Sequence, residues 1–434
     1  MAIKKDFTSW CVFALGLLLI AYGFLKWQRN SLTGQGDMQL YYSVSSQLFA
    51  GKIPYRDFKV EYPPLALLPM VIPNILAFET ELGFRRYVFL YMLEMLLLAG
   101  GFAVVLLKMS AFWPNRLTAW QLLLVYLLLV FLCRDLVLWR YDLFPAFLTL
   151  LTTLAVLRNR PLIAGFWLGL AIMAKLYPVI LFPVFAMYYL TEKQVRASVL
   201  LTIGTGFALL IVGIPALILS DNQVFSFLTY HQLRGLQIES TASGFLLLIH
   251  LPDLKSVSVV FNFGAFHVMA PGAEFILKAL TGLFLLGICG TLAVFGLRFR
   301  REYKQFGTIP SPRLLASLLA VMLVFISINK VFSPQYLIWL LPFVFFLPFR
   351  QLALVGAVFL LTNLVYPVFY PALIDLKPLA IVLLNVRNLL VVLLLGQLVV
   401  NRVGIEENCA ESGANHKKVD GAFPRRLESG KLKN

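Results

Sequence analysis

Long apolar runs separated by short polar punctuation set the pattern of this chain. They predict membrane-spanning helices at about 7–27, 87–107, 117–133, 143–157, 161–174, 177–191, 197–219, 275–297, 313–329, 335–349, 351–370 and 378–400. A hydrocarbon core of about 30 Å takes ~20 helical residues to cross. Several runs are shorter than that, and 161–174 with 177–191 also reads as one broken hairpin. Backbone exposed to lipid must satisfy its own hydrogen bonds, which leaves helices or closed barrels. The runs are continuous instead of alternating over ~10 residues, so a barrel is excluded. The expected fold class is an all-α polytopic membrane protein, a bundle of about 12 transmembrane helices.

Two polar stretches interrupt the pattern, at about 28–86 and 220–274. In the first, Met38, Tyr41, Tyr42, Ser45, Leu48 and Phe49 follow i, i+3, i+4, i+7 spacing. That predicts an amphipathic helix of ~13 residues, opened at Asp37 and closed by Gly51 and Pro54, suited to lying on the membrane surface. Pro63-Pro64 opens a second short segment, 64–78, because proline suits a first helical turn.

Composition narrows the class further. Of 434 residues, 60% are hydrophobic and 13% charged, against roughly 25% charged in soluble domains. The formal charge of +16 would suit nucleic acid, but the basic residues cluster in short loops between apolar runs. There they specify topology, and no nucleic-acid partner is expected. With residue 1 inside, Lys108, Arg158, Arg160, Lys193, Arg196, Arg298, Arg300, Arg301 and Arg350 all fall inside. Both long polar stretches then fall outside, with Asp37, Asp57, Glu61, Asp135, Asp142, Asp221, Glu239 and Asp253. The expected organisation is a membrane domain over 1–400 and a polar, basic, disordered cytoplasmic tail over 401–434. The first run has no small-residue cleavage site and reads as an uncleaved span, in a multi-pass protein of the plasma (inner) membrane. The four cysteines form no CxxC and read as small core residues.

Candidate chemistry gathers on the outer side. Asp37 suits a helix N-cap, and equally a carboxylate at the water–lipid boundary that takes a proton from an acceptor hydroxyl. Arg140-Tyr141-Asp142 offers a cation and a second carboxylate, or simply a local ion pair. Lys175 sits where the topology rule disfavours lysine, which points to an anionic partner. Tyr230 to Ser240 is the most polar piece of the second loop and holds His231, Arg234, Gln237 and Glu239; arginine's planar fork suits a phosphate. Arg387 lies about 22 Å from the inner edge by helical rise, and an intramembrane arginine is functional by default. Glu94 lies at similar depth and is its expected partner, in a pair that is functional or merely structural. There is no P-loop, HExxH or GxSxG, and no cofactor is called for. A divalent ion held by Asp37, Glu61 and Asp142 stays open.

In order along the chain, Gly36-Asp37, Gly51-Lys52-Ile53-Pro54-Tyr55, Glu61-Tyr62-Pro63-Pro64-Leu65, Arg140-Tyr141-Asp142, Lys175-x-x-Pro178, Arg234-Gly-Leu-Gln-x-Glu239-Ser240 and Ser333-Pro334-Gln335-Tyr336 resemble the GT-C glycosyltransferases, most closely glycosyltransferase family 87. The resemblance covers about 7–400; each motif is short, and their order carries the specificity. It implies a GT-C-like bundle and a hexosyltransferase that uses a polyprenyl-phosphate sugar, mannose favoured, and a lipid or glycan acceptor. Asp37 becomes the expected general base. Asp142 and Glu61 become acidic candidates for acceptor or metal. Arg234, Lys175, Arg140 and Arg387 become candidates for the donor phosphate. Tyr41, Tyr42, Tyr62, His231, Gln237, Glu239 and Tyr336 become candidates for sugar or prenyl contacts. The rival reading is a transporter or flippase of lipid-linked sugars. Such proteins bind at the midplane on broken, repeated helices, whereas here polar residues gather on one side and no internal repeat is visible.

Overall fold

A computed structural model of the protein describes residues 7–28, 36–78, 82–113 and 117–400; the expected tail 401–434 lies outside the described residues. The chain begins with α1 (Phe7–Gln28), followed by α2 (Gly36–Phe49), α3 (Leu67–Ala77), α4 (Phe84–Met109) and α5 (Ala119–Leu132). Next come α6 (Arg134–Trp139), α7 (Leu143–Leu157), α8 (Pro161–Ala174), α9 (Phe182–Thr191) and α10 (Val195–Leu219). The second polar stretch folds as α11 (Ser226–Leu233), α12 (Thr241–Ile249) and a hairpin of β1 (Ser258–Asn262) and β2 (Ala265–Met269). The chain closes with α13 (Ala273–Phe306), α14 (Ser311–Ile328), α15 (Phe349–Asn363), α16 (Tyr370–Ile374) and α17 (Pro378–Val400). Among the described residues, 7 helices are long and apolar enough to span a membrane, and shorter apolar helices accompany them. The protein is an all-α polytopic membrane protein, with one small hairpin among the described residues.

Eleven of the twelve expected spans are helical where the pattern places them. The twelfth, 335–349, is not a span. Pro334–Phe343 is a 3₁₀ segment, and Val344 to Pro348 is irregular. Pro334, Pro342 and Pro348 each lack a backbone donor, which stops an α-helix from running through. Leu337 to Phe343 are all buried, so this segment is core packed by protein and not a lipid-facing helix.

The core centres on α14, in which 14 of 18 residues are buried. A helix that is apolar all round belongs inside a bundle. Elsewhere α8 and α10 pack at backbone contact. A Cβ on Gly165 would sit 2.1 Å from the Leu201 carbonyl oxygen, and one on Gly204 2.2 Å from that of Leu162. Small residues allow this approach in membrane helices.

The polar stretches share one end of the bundle, called here the loop face. α2 covers the expected stretch but begins at Gly36, so Asp37 stands within its first turn and not at the N-cap, and Gly51 takes φ +79° just beyond its end. Much of its apolar side is covered by protein. Met38, Tyr41, Val44 and Ser45 are buried against α3 and α4, and Ser45 donates to Asn74 at 2.9 Å. The buried face is satisfied by protein, leaving Leu48 and Phe49 beside Leu67, Leu68, Val71 and Ile75 in an open apolar groove of about 460 Å³. In the second stretch, Ile238 N donates to Phe266 O and Val268 N to Leu236 O, both at 2.9 Å. The hairpin thereby holds Leu236–Ile238 in extended form, with Phe263 and Gly264 both at positive φ in its two-residue turn.

Candidate active site

Asp37 lies in the first turn of α2, where the helix dipole favours a carboxylate. Its Oδ2 is ion-paired with Arg140. The two side chains are 26% and 25% exposed. Arg140 reaches α2 because it leaves α6 in extended conformation, φ −134° and ψ 146°. Tyr141 is buried in an edge-to-face cluster, 5.9 Å from Tyr41 and 5.1 Å from Tyr62 between ring centroids.

Asp142 is buried and accepts from two donors at Oδ1, Lys175 Nζ at 2.6 Å and Trp339 Nε1 at 2.8 Å. The Lys175 ammonium also lies 4.6 Å from the Tyr141 ring centroid and 5.2 Å from that of Trp339. Trp339 is itself stacked between Tyr177 at 4.2 Å and Tyr336 at 3.8 Å. The two aspartates thus come together through Arg140-Tyr141-Asp142, each with its own cation.

The polar stretches meet over this pair. Tyr230 and His231 lie beside Glu61. Arg56 pairs with Asp221 at 3.8 Å, and Tyr55 packs near Phe227. Burial pushes the His231 imidazole down to about 4, helped by the cations Arg234, Lys175 and Lys330. Burial, then Arg234, also lowers His267 and Lys330. Among the described residues, neither Arg234 nor Lys330 has a carboxylate within ion-pair distance, and Arg234 Nε has no hydrogen-bond partner. This corner is cationic and lacks a counterion.

Gln237 donates to Ser333 Oγ at 3.1 Å. Glu239 is buried beside the Tyr370 hydroxyl, and burial pushes its carboxyl up. Tyr42 packs on Phe84 and Tyr87, each at 5.3 Å. Arg387 is fully buried, but its expected partner is wrong. It donates to the Glu239 carbonyl at 2.8 Å and lies 3.8 Å from the Phe332 ring centroid. Depth alone suggested Glu94; packing decides otherwise. The Arg387 helix, α17, adjoins α12, α14, α15 and α16, while α4, which carries Glu94, adjoins α1, α2, α3, α5, α6 and α7.

Among the described residues, no three or more His, Cys, Asp or Glu side chains converge as a metal site. The carboxylates of Asp37 and Asp142 are engaged by Arg140 and Lys175, a poor donor set for a resident divalent ion. Sequence reasoning missed Lys330 and Trp339. Lys330 carried the signal that flagged Lys175, a lysine on the side expected to be outside. Trp339 was hidden in an apolar run read as a span.

The model of glycosyltransferase family 87 matches residues 61–334, more than half of the chain. The match takes in Glu61, Arg140, Asp142, Lys175, Arg234 and Glu239, and begins after Asp37. No curated protein and no solved structure matches.

Proposed function

This chain belongs to glycosyltransferase family 87, and we propose that it transfers a hexose, mannose favoured, from a polyprenyl-phosphate sugar to a lipid or glycan acceptor on the outer face of the plasma membrane. One observation carries the reading. On the loop face Arg140 and Lys175 are paired with carboxylates, whereas among the described residues Arg234 and Lys330 are not, Lys330 donating instead to the Gln232 carbonyl at 2.8 Å. An anion seat on the same loop face as a partly exposed carboxylate suits a donor with a phosphate leaving group.

In the proposed reaction Asp37 takes the proton of the acceptor hydroxyl. The acceptor oxygen bonds to the anomeric carbon as the bond from that carbon to the phosphate oxygen breaks. The electron pair leaves on the prenyl phosphate, which Arg234 and Lys330 stabilise. One displacement inverts the anomeric configuration, so a β-linked donor gives an α-glycoside. Tyr62 and Tyr336, half-buried, supply aromatic faces for the sugar or the first isoprene units, whereas Tyr41 is buried among other rings.

The test is donor choice. Protein reconstituted in vesicles is given polyprenyl-phosphate mannose or the diphosphate-linked sugar, with a panel of alkyl glycosides. Transfer from the monophosphate donor, with an α-linked product by NMR, is expected. Turnover of the diphosphate donor alone contradicts the proposal.

A further inference from the structure

By residue type Arg140 could bind the donor phosphate, yet its guanidinium is committed to Asp37. Its backbone is held on both sides, by buried Trp139 before it and by Tyr141 and the doubly bonded Asp142 after it. A guanidinium fixed in this way can hold Oδ2 of Asp37, leaving Oδ1 to meet an acceptor. The other charged or ionisable groups facing Asp37 are Lys175 at the end of α8, Tyr230 on α11, Tyr62, and Tyr41 on its own helix. Lys175 is spent on Asp142, so Arg140 is the cation that orients Asp37.

We infer that Arg140 is a positioning residue that aims the Asp37 carboxylate, and not a ligand of the donor phosphate. This rests on the reading of Asp37 as the base. The experiment compares Arg140→Gln, Arg140→Lys, Asp37→Asn and the double variant Asp37→Asn/Arg140→Gln, using polyprenyl-phosphate mannose and an alkyl glycoside. R140Q is expected to lower kcat at least tenfold with the donor KM changed less than twofold. R140K should recover several-fold of that loss. In the D37N background, R140Q should cost nothing further, since coupled residues are non-additive. A fivefold or greater rise in donor KM with kcat intact overturns the inference, as does a further tenfold loss in the double variant. Wild-type turnover by D37N alone instead overturns the reading of the base, and the inference falls with it.

Discussion

Lys175→Met removes the cation from a buried pair and strands Asp142, whose side chain is 2% exposed, with only the Trp339 N–H. Removing one partner of a buried pair costs about 3–5 kcal/mol. A second route gives a similar bound. A stranded carboxylate can take up a proton, and neutralising a free aspartate at pH 7 costs about 4 kcal/mol. The lost cation–π contacts, about 0.5–2 kcal/mol, are partly replaced by sulfur–aromatic contacts of about 0.3–1.5 kcal/mol. The expected destabilisation is therefore about 3–4 kcal/mol. Asp142→Asn/Lys175→Met removes both charges and keeps an acceptor for Trp339, so it should return to within about 1.5 kcal/mol of wild type. SDS-induced unfolding in mixed micelles measures both. A K175M protein within about 1 kcal/mol of wild type, or a double variant no more stable than the single one, refutes the reasoning.

Other outcomes follow from the same geometry. Arg234→Gln and Lys330→Gln should each raise the donor KM about five- to tenfold, equivalent to about 1–1.4 kcal/mol; steady-state kinetics with unchanged KM would count against the anion seat. His231 is pushed down to about 4, so the unfolded chain binds a proton that the folded chain refuses. Stability is then present above about pH 6.5 and lost as pH falls towards 4, by about 2 kcal/mol after allowing for partial exposure. His231→Leu should remove that acid-side loss in unfolding compared between neutral and mildly acidic buffer. Gly165→Ala forces a Cβ against the Leu201 carbonyl and should destabilise by about 3 kcal/mol or more, read by the same SDS titration. Gly206→Ala, with open space around it, should be neutral or gain about 0.5–1 kcal/mol.

The helices of the bundle were legible because each is written as a continuous apolar run, a pattern local to the sequence, and 7 of them are long enough to cross lipid. The existence of α2 was legible from its periodic face, although Asp37 stands inside the first turn and does not cap the helix. Failures came where tertiary contact decides. Pro334–Phe343 is as apolar as a span, and only its burial among other helices reveals its role. Depth placed Glu94 and Arg387 level with one another, but depth says nothing about which neighbours a helix faces. The hairpin of β1 and β2 turns through Phe263-Gly264, without the Asn-Gly signal that marks such turns in sequence. The acidic residues were found one by one; their pairing with Arg140, Lys175 and Trp339 belongs to the fold.

The central claim is that Asp37 is the base, and the most direct test is the turnover of Asp37→Asn. Folded, reconstituted D37N protein should bind polyprenyl-phosphate mannose with near wild-type affinity and transfer it at least a hundredfold more slowly. Transfer at the wild-type rate would contradict the account.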